Sequence, residues 1–288
     1  MYDTSKHHAS DTVRRLELPS AILSYRRTGS GPVVLFIQGA GLVGEGWRPQ
    51  VDGLRDRYTA ISFDNRGIGG SEIRSGKLTI EAMALDALAI MDAEGIDRFH
   101  VASHSMGGLI AQEVALIAPG RVKSLALLCT FARGKQAARL TLAIIVIGLR
   151  TRIGTRAMRR NAFLGLVMPP AVLAGRDRTQ LAEELAPLFG HDIADQPPII
   201  LKQLATMAKY DASARLGQLA AIPTLVASAE LDRIALPAFG RELAAAIPGA
   251  RFVELPGAGH GVPIHAASEV NDLLARHFAA VEGAPASP

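Results

Sequence analysis

Residues 99–118 read FHVASHSMGGLIAQEVALIA, and this stretch decides the fold. The first four residues, FHVA, form a short, mostly apolar run of the kind a buried strand needs. The last ten, LIAQEVALIA, carry a helical period and stop at Pro119-Gly120, a pair that ends helices. Between them lies Ser103-His104-Ser105-Met106-Gly107-Gly108. A serine held at so tight a turn exposes its hydroxyl. It also sits at a helix N-terminus, where unpaired N–H groups and the helix dipole favour negative charge. An acyl-transfer nucleophile needs both, so Ser105 is the candidate. Small residues must flank it for the backbone to pass closely, and Gly107, Gly108 and Ser103 supply them. The competing role for Ser105 is a plain helix N-cap.

Working outward, buried-strand runs recur at residues 33–38 (VVLFIQ), 58–63 (YTAISF), 125–129 (LALLC) and 224–227 (TLVA). Helix-period segments fall at 78–94, 236–247 and 265–280. This alternation predicts βαβ units and an α/β fold with a mostly parallel, doubly wound sheet. Residues 13–18 and 22–27 predict a hairpin ahead of it. The interval 131–212 breaks the rhythm: it has helical composition, Pro169-Pro170, Pro197-Pro198 and no clear strand. The expected organisation is a core of residues 1–130 and 213–282, a helical cap inserted at 131–212 over one sheet edge, and a frayed tail at 283–288.

A serine nucleophile needs a base and an acid that orients the base. His260 lies in the loop PGAGHG (256–261), after the strand-like residues 251–255 and before the last helix. Asp232 lies in SAELDR (228–233), just past the strand at 224–227, with Glu230 as a rival two positions earlier. The order is Ser105, Asp232, His260, and the stretch from 232 to 260 fits one helix and one strand, placing both side chains at one sheet edge. The fourth part is an oxyanion hole. The loop IQGAG (37–41) follows a strand, and the N–H groups of Ala40 and Met106 are the candidate donors, with Gln38, Gly39 and Gly41 shaping the loop. His104 reads as structural and pointing away from the site. Asp64 and Arg66 read as a local ion pair, and Cys129 as a small core residue unrelated to the chemistry. No H-E-x-x-H or equivalent is present, His7 and His8 are isolated, and His191 and His265 read as ordinary. Neither a metal nor a cofactor is expected.

Together these features resemble the α/β-hydrolase superfamily over nearly the whole chain. FDNRGIGGS (63–71) is similar to its D-x-R-G-x-G-x-S loop; residues 38–41 resemble its H-G motif, with Gln38 where histidine is usual; and GEGW (44–47) resembles a region where many members carry a Trp. Ser103 stands where the nucleophile turn usually has glycine, and 131–212 lies where the family places its lid. The resemblance implies esterases, lipases, lactonases, thioesterases, C–C bond hydrolases, epoxide hydrolases or dehalogenases. The last two use aspartate at the turn, so Ser105 argues against them. The expectation is a serine esterase in which Ser105, His260 and Asp232 work through an acyl-enzyme. Ile144, Ile145, Leu164, Leu166, Val167 and Met168 would favour apolar acyl or alcohol groups. A lactonase, thioesterase or C–C hydrolase would use the same triad, and a non-catalytic ligand receptor is the reading from a different class.

The charge is uneven. Lys and Arg number 31 against 27 Asp and Glu, a net +4. Residues 131–160 alone hold eight basic residues (Arg133, Lys135, Arg139, Arg150, Arg152, Arg156, Arg159 and Arg160) and no acidic one, which leaves the rest of the chain at −4. Few aromatics interleave them, so nucleic acid is not an expected partner. Solvated arginines on a cap, a weak membrane-surface contact through it, or attraction of an anionic substrate are the readings. A homo-oligomer is left open. The longest apolar run, 140–149, is about half the ~20 residues needed to span a bilayer. Residues 1–11 lack the apolar core of a signal peptide. One cysteine excludes an internal disulfide and a Cys-based zinc site and suggests a cytoplasmic protein; the partner expected from the esterase reading is a small-molecule ester.

Overall fold

The computed structural model describes residues 12–137, 146 and 148–283. His7, His8, Arg139, Ile144, Ile145 and most of the expected tail lie outside the described residues. The sheet has nine strands: β1 (Arg14–Glu17), β2 (Ala21–Gly29), β3 (Val33–Ile37), β4 (Thr59–Phe63), β5 (Glu72–Ile73), β6 (Phe99–His104), β7 (Val122–Leu128), β8 (Thr224–Ala229) and β9 (Arg251–Leu255). Their order is β1-β2-β4-β3-β6-β7-β8-β9, with β5 paired to β2. The hairpin β1–β2 is antiparallel and joins β4 antiparallel, whereas β4-β3-β6-β7-β8-β9 run parallel. Every residue of β4, β6 and β8 is buried, as a strand covered on both faces requires.

Helices α1 (Arg48–Leu54), α2 (Ile80–Ala93), α3 (Met106–Ile117), α7 (Pro237–Ala246) and α8 (Ala267–Glu282) flank the sheet. From β3 the chain winds first to β4 and then back past β3 to β6. In a wound sheet, the crevice at such a reversal, beyond the carboxyl ends of the strands, is where ligands bind. The loop after β3 and the turn after β6 both open onto it. The loop that follows β4 is tied down differently from the expectation. Arg66 pairs not with Asp64 but with Asp86 of α2, through buried contacts of 2.6 and 2.5 Å. Asp64 instead accepts N–H bonds from Gly44 at 2.7 Å and Gly70 at 2.9 Å. Burial raises the Asp86 carboxyl more than Arg66 lowers it.

Between β7 and β8 the described elements are helical: the turns 134–137 and 170–173, a 3-10 turn at 216–219, and helices α4 (Arg156–Val167), α5 (Arg178–Phe189) and α6 (Ile200–Lys209). Leu164, Leu181, Leu185, Leu188 and Ile193 form a second apolar cluster apart from the main core, closed by Ile264 from the far end of the chain. Three arginines of the basic cluster are paired within this segment. Arg156 and Arg159 pair with Asp195, and Arg160 with Asp192 at 2.6 Å and Glu183 at 3.2 Å. Part of the basic cluster is therefore neutralised by acids 23–39 residues further on, rather than simply solvated. Among the described residues no helix is long and apolar enough to cross a membrane.

The hydrogen bond from Arg160 holds the Asp192 carboxyl down from its ordinary 3.8 to about 2. A carboxyl lowered in the folded state contributes stability above its ordinary value and loses that contribution as pH falls. Asp192→Asn is expected to lower stability at neutral pH by about 1 kcal/mol, near the upper end for such pairs. In chemical denaturation the gap from the native chain should close as pH falls from 3.8 through about 2.

Candidate active site

Strand β6 runs two residues further than its apolar pattern suggests. Ser103 and His104 are polar yet buried, and the Ser103 hydroxyl donates to the Ala126 carbonyl at 3.0 Å. Helix α3 already starts at Met106, so Ser105 alone makes the turn, at φ 55° and ψ −124°. A non-glycine residue in that region stores roughly 1–3 kcal/mol of strain and persists only where its surroundings over-determine it. They do so here. Ser105 N–H donates to the Leu128 carbonyl at 3.0 Å, and the Ser105 carbonyl accepts from the Thr130 hydroxyl at 2.7 Å and from Gly108 N–H at 2.9 Å. A Cβ on Gly107 would stand 2.3 Å from the Ile37 carbonyl oxygen, so only glycine lets α3 start this close to the end of β3.

His260 lies in the loop beyond β9, and its Nδ1 donates to Asp232 Oδ2 at 2.7 Å. The other Asp232 oxygen accepts N–H bonds from Ile234 at 2.7 Å and Ala235 at 2.9 Å. These bonds fix the carboxylate, whose side chain is fully buried. Glu230, the rival acid, does something else: it accepts from Gly257 N–H at 2.7 Å and so pins the loop that carries His260. Gly261 N–H reaches the Val167 carbonyl at 2.7 Å, which ties the same loop to the helical segment.

Two residues lie closer to this pair than the sequence suggests. His104 does not point away: its ring packs on that of His260, with centroids 4.7 Å apart, and its Nε2 donates to the His260 carbonyl at 2.8 Å. Burial, and then the proximity of His260, push its pKa down to about 3, so it remains neutral when a neighbour takes up a proton. Cys129 is buried at φ 48° beside the Asp232 carboxylate; burial and then that charge push its thiol well up. Donor atoms of His104, Cys129 and His260 lie within 4.8 Å of one another, a spacing that a metal ion could bridge. Within this cluster His260 Nδ1 also bonds Asp232, and His104 Nε2 bonds the His260 carbonyl.

Ser105, His260 and His104 share a cavity of about 470 Å³ with Gln38, Gly39 and Ala40. Leu42, Phe131, Phe163, Phe189, Ile200 and Met207 give it a mainly apolar wall. Of the expected apolar residues, Leu166 and Val167 line it, whereas Leu164 and Met168 belong to the second cluster. The loop after β3 is held at both ends. Gly39 N–H donates to Gln38 Oε1 at 2.9 Å, and Gly41 N–H to Gln203 Oε1 at 2.8 Å, while Asn65 donates to the Gln38 carbonyl at 3.0 Å. Ala40 lies between two tied neighbours, and Met106 directly follows Ser105. Gln203 and Thr130 carry no local sequence signal, because each acts on a residue far away in the chain. The arrangement can take a proton from a serine hydroxyl through an imidazole whose far nitrogen is held by a carboxylate.

The pattern of the alpha/beta hydrolase family matches residues 34–273. A protein of Azorhizobium caulinodans named as a carbamate hydrolase is 33% identical over 258 residues, covering 88% of this chain and 94% of its own. One of Mycobacterium tuberculosis named as a non-heme bromoperoxidase is 30% identical, covering 90% and 98%. The solved structure of an enol-lactonase from Burkholderia xenovorans superposes with a TM-score of 0.76 at 27% identity, covering 92% of this chain and all of that one. With the wound sheet, the serine turn after β6 and this match along most of its length, the chain is a hydrolase that belongs to the alpha/beta hydrolase family.

Proposed function

We propose that the chain is a serine esterase, and the observation that carries this reading is the 2.7 Å bond from His260 Nδ1 to Asp232, behind an imidazole that shares its cavity with Ser105. Ser105 Oγ attacks the ester carbonyl carbon while His260 Nε2 takes the hydroxyl proton. Asp232 keeps the imidazole in the required tautomer and stabilises its protonated form. The N–H groups of Ala40 and Met106 hold the oxyanion. The tetrahedral adduct collapses, the C–O bond to the alcohol breaks, and the alcohol leaves with the proton from His260. Water, deprotonated by His260, then releases the acid from Ser105.

In this reading residues 131–212 form the cap of the cavity. Phe163, Leu166, Val167 and Phe189 stand against an apolar acyl or alcohol group. A weak contact with an anionic membrane surface belongs to the same proposal. Leu149 and Ile153 are exposed next to Arg150 and Arg152, and Leu149 and Arg152 border the cavity. The likeness to an enol-lactonase supports a second substrate class, a cyclic ester opened by the same steps.

Hydrolysis of p-nitrophenyl esters of increasing chain length tests the reaction. Activity should rise from acetyl to medium-length acyl groups, and Ser105→Ala should reduce kcat by about 10⁴-fold or more. Equal activity, or equal silence, of the native chain and the variant would sink the assignment. The choice of acid is tested separately. Asp232→Asn should cost about 10³–10⁴-fold in kcat, as expected when an imidazole loses its orienting carboxylate. Glu230→Gln should cost less than about 10-fold, since Glu230 bonds a backbone N–H rather than the imidazole. The reverse order would overturn the assignment of Asp232.

A further inference from the structure

We infer that the helical segment between β7 and β8 builds part of the oxyanion hole by clamping Gly41, with Gln203 and His191 as positioning residues; this rests on the hydrolytic reading above. Gly41 has φ +74°, and glycine occupies either sign of φ with little preference, so the loop does not select this conformation by itself. Three contacts from the segment converge on this one residue. Gln203 Oε1, on α6, accepts its N–H at 2.8 Å. His191 Nε2 faces its carbonyl oxygen at 3.2 Å. The Ile200 side chain fills the space beside its Cα, with Cδ1 2.9 Å from where a Cβ would stand.

The chemistry of Gln203 points to a role in position rather than in stability. The residue is fully buried, and among the described residues its Nε2 has no hydrogen-bond partner. A buried donor left unpaired costs roughly 1–3 kcal/mol, a cost that a leucine would avoid. What the amide supplies in return is one acceptor, aimed at Gly41. Gln38 fixes Gly39 from the other side, so the orientation of the Ala40 peptide between them depends on both anchors. Moving the segment off the sheet removes the Gln203 acceptor and releases Gly41. The oxyanion hole is then complete only while the segment is seated, and the cavity cannot be opened wide and remain competent for chemistry.

Two variants separate the hydrogen bond from packing. Gln203→Leu keeps the bulk and removes the acceptor, whereas Gln203→Glu keeps the shape and an Oε acceptor and exchanges the unpartnered NH2 for a second carboxyl oxygen. Two readouts apply: kcat and KM on p-nitrophenyl butyrate, and the rate at which diethyl p-nitrophenyl phosphate modifies Ser105. The second reaction joins Ser105 Oγ to phosphorus, expels p-nitrophenolate, and presents its phosphoryl oxygen to the same hole. Gln203→Leu should lower kcat by about 10–100-fold with KM changed less than about threefold, and slow the phosphorylation by a similar factor. Gln203→Glu should recover most of the loss. Native kcat in Gln203→Leu, equal impairment of the two variants, or a rise in KM alone would each overturn the inference. Should Gln203→Leu not fold, His191→Phe takes its place: a lowered kcat supports the clamp and native kcat overturns it. If the native chain cleaves no ester yet is phosphorylated at Ser105, the ester reading fails while the phosphorylation rates still decide the clamp. If Ser105 is not phosphorylated, the two fall together.

Discussion

The whole site depends on one residue being made to turn the chain alone. Between β6 and α3 there is only Ser105, at a positive φ that a serine adopts at a cost. That cost is offset by neighbours on both sides: Leu128 at the end of β7 and Thr130 just past it bond its backbone, and Gly107 lets α3 lie against the end of β3. Because the turn is so short, the hydroxyl stands at the start of α3 and at the sheet reversal at the same time. The parallel order of β3, β6, β7 and β8 then delivers the remaining parts to the same edge without further adjustment. The loop after β3, the acid after β8 and the imidazole after β9 all emerge at carboxyl ends.

Around that edge the polar groups support one another in depth. Asp232 is fixed by two backbone N–H groups before it meets His260, His260 is backed by a neutral His104, and the loop that carries His260 is pinned by Glu230 and Val167. In a buried setting an unpaired polar group is costly, so such chains of partners fix geometry as well as contributing stability. The helical segment takes part on equal terms: Val167 holds the histidine loop, and Gln203 and His191 hold the loop after β3.

Much of this was legible in the sequence, for identifiable reasons. Buried parallel strands announce themselves as apolar runs, so β3, β4, β6, β7 and β8 were each located to within a few residues. The position of Ser105 at the end of one such run, and of Asp232 and His260 just past two others, follows from counting. What was not legible depends on contacts across long separations. Arg66 finds Asp86 rather than Asp64, Arg160 finds Asp192, and Gln203 reaches back 162 residues to Gly41. The sequence pattern ends β6 two residues early because Ser103 and His104 are polar side chains with buried partners, which hydropathy alone reads as the end of a strand. Glu230 and Asp232 differ by two positions, and contacts invisible to counting separate them: Ile234 and Ala235 N–H hold Asp232 against the imidazole, while Gly257 N–H holds Glu230 away from it.

Cys129 carries a practical consequence. It is the chain's sole cysteine, buried at the end of β7 against Asp232, with its thiol held well above the usual range. Thiol reagents act on the thiolate and need access to it. The native chain should therefore be close to inert toward a chromogenic disulfide, and any colour that develops measures how often the layer behind the imidazole comes apart. The protein thus contains its own clock for the opening of the layer around Asp232, read without a label and without a substrate.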